Sequence, residues 1–338
     1  MDSVYTKWKI EPSLKYDACC FLNILTADTF YLTYYQKVYD EFKPKLTPEV
    51  TGALSSLKKK MREDNGIIIS ANLCLYFSAV EDSTIEQMIS TLKDLKILKT
   101  NFEKTFYYDK ESWNIFESVK PELITIFEFL QSIDFENYWR ENVVPIVQKK
   151  IEEIKPDLPK YDVIKENEHY LGFDLPSNEI TVYMLYYSKP HGIKITGTRF
   201  FTDAGWPFDI LLTTAVHEMM HPPYDYKNDE ELRKTIELFK TDEFLMDKVL
   251  NHNPSFGYNS LEGLWEEDCV QSLDQIINEK FGILRDAKKR WKENDDGIHV
   301  LAIALYQIMK EQNYNDKNEV FRDFLLRIVN EGILKPGD

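Results

Sequence analysis

The chain is poor in the residues that loosen or cross-link a fold. Only 12 glycines and 14 prolines occur in 338 residues, which argues against a linker-rich or disordered polypeptide. The four cysteines, Cys19, Cys20, Cys74 and Cys269, make no CxxC pair and no zinc-finger spacing, so they read as buried thiols. Basic residues are outnumbered, 41 Lys and Arg against 57 Asp and Glu. The resulting net charge of -16 repels phosphate backbones and anionic lipid, and nucleic acid is excluded as a partner. The densest basic stretch, Lys58 to Lys60 with Arg62, reads as a solvated helix face. No run of about 18 apolar residues exists, so no membrane span is expected. The start, MDSVYTKWKIEPSLKYDACC, lacks the basic stretch and long apolar run of a signal peptide, and a cytoplasmic protein is expected.

Aromatic and apolar residues are plentiful, with 20 Tyr, 20 Phe and a hydrophobic fraction of 43%. A chain of this size and composition can bury a sizeable core. From Pro12 to about Lys155 the apolar residues recur at helical spacing, as in Phe21, Ile24, Leu25 and Leu32, then Ile85, Met88, Ile89, Leu92 and Leu95, then Leu123, Phe127 and Leu130. Breaks fall at Pro44, Pro48, Asp64-Asn65-Gly66, Pro121 and Pro156. The pattern predicts a helical lobe over residues 1–158 and a second domain over 159–338.

The second domain opens differently. Glu179 to Ser188 is rich in β-branched and aromatic residues, and Gly192 to Phe201 alternates, which predicts two strands. The turn residues Lys189-Pro190-His191-Gly192 between them predict an antiparallel hairpin, with His191 a turn residue. Beyond Trp206 a helix is expected from about 207 to 221, started by Pro207 and Asp209 and stopped by Pro222-Pro223. Further helices are expected near 229–250, 260–281, 295–311 and 316–332. The fold class is α+β and mainly α, with a small antiparallel sheet on the 207–221 helix.

That helix carries His217-Glu-Met-Met-His221, an HExxH motif. Spacing of i and i+4 places both imidazoles on one helix face, within reach of one metal ion. Glu218 stands beside that face, where a base can take a proton from metal-bound water. Leu211, Leu212, Ala215, Val216, Met219 and Met220 give the helix an apolar support that an idle surface helix would not need. A catalytic zinc takes three protein ligands, so one more His, Asp or Glu is required.

At this point the chain resembles the zincin metallopeptidases, whose HExxH helix lies beside an antiparallel sheet. In the metzincin branch the motif would continue to a glycine and a third histidine, but Tyr224 and Lys227 stand at those positions. The gluzincin branch takes its third ligand from a glutamate on a later helix, often followed by glycine. Asn259-Ser-Leu-Glu-Gly-Leu-Trp-Glu-Glu267 looks like that pattern, over a resemblance covering roughly residues 178–282. It implies Glu262 as third ligand, with Glu266 or Glu267 as alternatives on the same helix. Ser260 can cap that helix, and Glu266, at i+4 from Glu262, could orient a histidine. Gluzincins commonly supply a later Tyr or His to the oxyanion. His299 is the expected catalytic residue of that kind, with Tyr306 a second candidate and His252 and Tyr258 weaker ones.

The resemblance therefore implies a Zn2+ site of His217, His221 and Glu262, with Glu218 as general base, hydrolysing a peptide or protein substrate. An extended peptide would add to the strand at about 193–201. The alternatives are a non-catalytic protein that keeps the fold for binding, and a zinc hydrolase of a non-peptide substrate.

Overall fold

A computed structural model describes residues 4–253, 256–283, 285–314 and 318–337. The chain divides into two compact units: Trp8–Leu158 with Glu179–Leu211, and Met1–Lys7 with Pro159–Asn178 and Leu212–Asp338. One break lies between Leu158 and Pro159, and the strand region Glu179–Leu211 groups with the helices before it.

The first unit holds a sheet and ten helices. Its strands are β1 (Lys7–Pro12), β2 (Glu179–Leu185), β3 (Ile193–Lys194) and β4 (Arg199–Asp203), in the order β1-β2-β4-β3. The helices are α1 (Leu14–Leu25), α2 (Thr29–Phe42), α3 (Pro48–Lys58), α4 (Ile69–Phe77), α5 (Ile85–Lys93), α6 (Lys96–Phe102), α7 (Lys110–Ser118), α8 (Lys120–Ser132), α9 (Phe135–Asn142) and α10 (Val144–Ile154). Every residue of α1 is buried, including Cys19 and Cys20, and Cys74 is buried on α4. A buried carboxylate inside such a helix needs donors. Asp17 receives three, from Trp139 Nε1 at 2.8 Å and from the backbone N–H groups of Tyr186 and Tyr187, both at 2.9 Å.

The expected antiparallel hairpin is corrected. β2 pairs with β4 in parallel, Thr181 opposite Arg199 through Leu185 opposite Asp203. Both strands are buried over most of their length, as in a parallel pair covered on both faces. The antiparallel turn lies inside the segment expected to be one strand. There Ile193 faces Phe201 and Lys194 faces Phe200, and Gly197 turns the chain at φ +70°, a backbone region open to glycine. The sheet is thus small, as expected, but mixed.

The second unit contains α11 (Val163–Leu171), the motif helix α12 (Phe208–Met220) from Leu212 onward, α13 (Glu230–Glu237), α14 (Glu243–Asn251), α15 (Leu261–Lys280), α16 (Ala287–Glu293), α17 (Val300–Glu311) and α18 (Phe321–Asn330). The helix expected over 229–250 is two, because Asp242 accepts from Leu245 N at 2.9 Å and caps a new start. α15 is the centre of this unit, with Ser260 capping it through Gly263 N at 3.0 Å. Among the described residues no helix is long and apolar enough to cross a membrane.

Candidate metal centre

A helix buried on all sides is ordinarily apolar. α15 instead buries Glu267, Asp268, Gln271, Asp274, Gln275 and Asn278. Buried polar groups need partners. Glu267, Asp268, Gln271 and Asp274 find them in histidines, in one another and on neighbouring helices, and Gln275 finds them in Glu279, the Arg285 carbonyl and Arg290, while both side-chain polar atoms of Asn278 lack a hydrogen-bond partner among the described residues. Glu267, Gln271 and Asp274 recur at i, i+4 and i+7 and so form one stripe along the helix.

That stripe faces the HExxH residues. α12 is anchored just before the motif, where Asn167 Nδ2 of α11 donates to the Val216 carbonyl at 2.9 Å. His217 Nδ1 donates to Asp274 Oδ2 at 2.8 Å. His221, one residue past the end of α12, directs Nδ1 at Glu266 Oε1, 3.1 Å away. With both Nδ1 atoms committed to carboxylates, both Nε2 atoms are left for a proton or a metal ion. These lie 3.2 Å apart. Glu267 completes the triangle, with Oε1 3.5 Å from His217 Nε2 and Oε2 3.5 Å from His221 Nε2. His217, His221 and Glu267 are the group able to hold a metal among the described residues.

Two ring nitrogens and a carboxylate this close need protons or a metal cation between them. The spacing suits one. A tetrahedral zinc with bonds of about 2.1 Å sets its ligand atoms about 3.4 Å apart, close to the 3.2 Å between the two Nε2 atoms, and each Nε2 has one or other Glu267 oxygen at 3.5 Å. The carboxylates behind the rings fix their tautomers as outer partners of metal-bound histidines do. The electrostatics point the same way. Burial opposes a charge on either ring, but Glu267 and Asp274 hold the His217 imidazole well above its usual range, and Glu266 and Glu267 push His221 up to about 9. Burial likewise opposes the Glu267 anion, yet the two rings hold its carboxyl well below the usual range. The cluster favours positive charge at its centre.

The structure brings Glu267, not Glu262, to the imidazoles. Glu262 lies in the first turn of α15, with Oε1 3.7 Å from Lys240 Nζ and 30% of its side chain exposed. Glu267 is 8% exposed. The two lie five positions apart, which turns them to different faces of the helix. Glu266 holds His221 from behind, as its spacing from the pattern suggested. Glu218 is partly buried, and its charge acts on His217 and on Tyr258.

His299 is not placed as an oxyanion donor. Its ring is fully buried, with Nδ1 2.6 Å from Asp268 Oδ1 and Nε2 2.9 Å from Asp295 Oδ2. Burial opposes its charge, but these two carboxylates outweigh it and push the ring up to about 9. With both nitrogens held, His299 is a satisfied core histidine at the start of α17. Tyr306 donates to Glu279 at 2.6 Å, at the far end of α15. His252, just past α14, bonds the carbonyl of Lys248 in that helix. His191, in the first unit, bonds Tyr31.

Tyr258 does belong to the site. Its ring meets His299 edge to face, centroids 5.3 Å apart, and the charges of Glu267 and Glu218 act on its hydroxyl. Burial and the charges of Glu267, Asp295 and Glu218 hold that hydroxyl well above its ordinary pKa, so it stays a neutral donor. The residues missed in sequence are Asp274, Gln271, Arg290 and Trp291. The one available signal was the i, i+4, i+7 spacing of Glu267, Gln271 and Asp274. Comparison of the chain with protein-family models, with curated proteins and with solved structures found no match.

Proposed function

We propose that this protein is a zinc-dependent hydrolase that cleaves peptide bonds, with His217, His221 and Glu267 as metal ligands and Glu218 as general base. The observation that carries the reading is the triangle of two Nε2 atoms and one carboxylate at 3.2, 3.5 and 3.5 Å, each ring backed by a carboxylate at Nδ1. Zinc bound there would polarise a carbonyl and lower the pKa of a bound water toward neutrality. Glu218 takes the proton from the attacking water and returns it to the leaving amine. Tyr258, a neutral donor beside Glu267, supplies a hydrogen bond to the developing oxyanion. The resemblance to the zincins rests on the HExxH helix. The glutamate-glycine pattern at Glu262 does not add to it. Four free, buried thiols fit a reducing compartment, and a cytoplasmic setting belongs to the same proposal.

The test is Glu218→Gln, assayed against peptides, esters and small amides. Zinc content unchanged with peptide cleavage reduced about 100-fold or more supports the assignment. Cleavage at the parental rate would refute Glu218 as base, and turnover of esters or small amides alone would move the substrate away from peptides.

A further inference from the structure

α16 is a short, strongly charged helix, AKKRWKE, that presents the adjacent residues Arg290 and Trp291 to α15. The Arg290 guanidinium forks onto Asp274, Nη2 to Oδ2 at 2.9 Å and Nη1 to Oδ1. Oδ2 is the same oxygen that accepts the His217 Nδ1 proton at 2.8 Å. Arg290 is largely buried, and Nη1 also reaches Gln275 Oε1 at 3.1 Å. It thereby fixes the carboxylate plane that aims the His217 ring, a task suited to the planar fork of arginine and not to a lysine point charge.

Trp291 acts on a second ligand. Its Nε1 donates to Gln271 Oε1 at 2.8 Å, and Gln271 Nε2 donates to Glu267 Oε1, also at 2.8 Å. An indole N–H can only donate, so it fixes which end of the Gln271 amide faces it. The amide N–H group is then left for Glu267. Without Trp291 the amide oxygen loses its donor, and the amide that steadies Glu267 is no longer anchored at its oxygen end.

We propose that α16 is the outer brace of the metal centre, with Arg290 and Trp291 as positioning residues for His217 and Glu267, so that metal affinity and the docking of α16 are coupled. This inference rests on the metal-centre reading above. Coupling is reciprocal, so zinc must protect α16 by the same factor that α16 contributes to zinc affinity.

The experiment measures zinc affinity of the full chain by competition with a chromophoric chelator, for the parent and for Arg290→Gln, Arg290→Lys, Trp291→Phe and His217→Ala. Amide hydrogen exchange over Ala287–Glu293 is followed with and without zinc. Removing an outer partner of a metal ligand typically weakens affinity 10- to 100-fold, which is the loss expected for Arg290→Gln, with partial rescue in Arg290→Lys. Trp291→Phe keeps an aromatic six-membered ring while removing the donor and part of the indole volume, and it stands in should Arg290→Gln fail to fold. A loss of about tenfold is expected for it. Zinc should slow exchange over α16 in the parent.

Parental affinity in folded Arg290→Gln and Trp291→Phe, with zinc lost in His217→Ala, would overturn the brace alone. No zinc in the parent, or zinc held equally by His217→Ala, would overturn the metal centre and the brace together.

Discussion

His299 is the residue for which sequence and structure assign opposite roles, and its replacement separates them. In His299→Leu, Asp268 loses the imidazole at 2.6 Å and keeps one donor, the Ala302 N–H at 3.0 Å. Asp268 is 0% exposed, whereas Asp295, the second partner, is 34% exposed and can turn to water. Removing one member of a buried ion pair costs about 3–5 kcal/mol, because the remaining charge is stranded. With slopes of about 1–3 kcal/mol per molar urea, the unfolding midpoint should fall by about 1 M or more. The loss should shrink at pH 5, where a stranded carboxyl protonates more cheaply. Adding Asp268→Asn should recover most of the loss, since the neutral amide still accepts from Ala302. The assay is urea unfolding followed by tryptophan fluorescence at pH 7 and pH 5, with peptide cleavage in parallel. An unchanged midpoint together with collapsed hydrolysis would show that His299 acts in the reaction, and the structural reading would be wrong.

Two further outcomes follow from the fold. Burial, aided by the charge of Arg62, lowers His191 to about 4, so the unfolded chain takes up its proton first as pH falls. This contribution to stability is complete above pH 6.5 and is lost toward pH 4, amounting to about 2 kcal/mol by pH 5. His191→Gln should flatten that part of the stability-pH curve, and an unchanged slope would contradict the assignment. Gly172 ends α11 at φ +80°, and a Cβ there would lie 2.6 Å from Val320 Cα. Gly172→Ala should therefore destabilise by about 2 kcal/mol or more in thermal unfolding, from backbone strain plus overpacking.

Periodicity revealed the helices that bury an apolar stripe, and Phe21, Met88 and Phe127 are core residues as expected. The motif helix and the Ser260 cap were legible because each depends on a few adjacent residues. The third ligand was not. α15 carries Glu262, Glu266, Glu267, Asp268, Asp274 and Glu279, and sequence alone cannot say which carboxylate turns inward. The stripe that decides it is polar, so a search for apolar periodicity passes over it. α16 was missed for a related reason, since its one large apolar residue, Trp291, is surrounded by lysines, an arginine and a glutamate. Strand direction was misread because Lys189-Pro190-His191-Gly192 has hairpin composition, while the turn that pairs β3 with β4 lies at Gly197.

Which glutamate joins the two histidines is read most directly from zinc binding. Zinc per chain should be measured by elemental analysis after apo-protein is reloaded and desalted, for the parent, Glu262→Gln and Glu267→Gln. One zinc in the parent and in Glu262→Gln, with none retained by Glu267→Gln, is the predicted result. Zinc lost from Glu262→Gln and kept by Glu267→Gln, or no zinc in the parent, would contradict it.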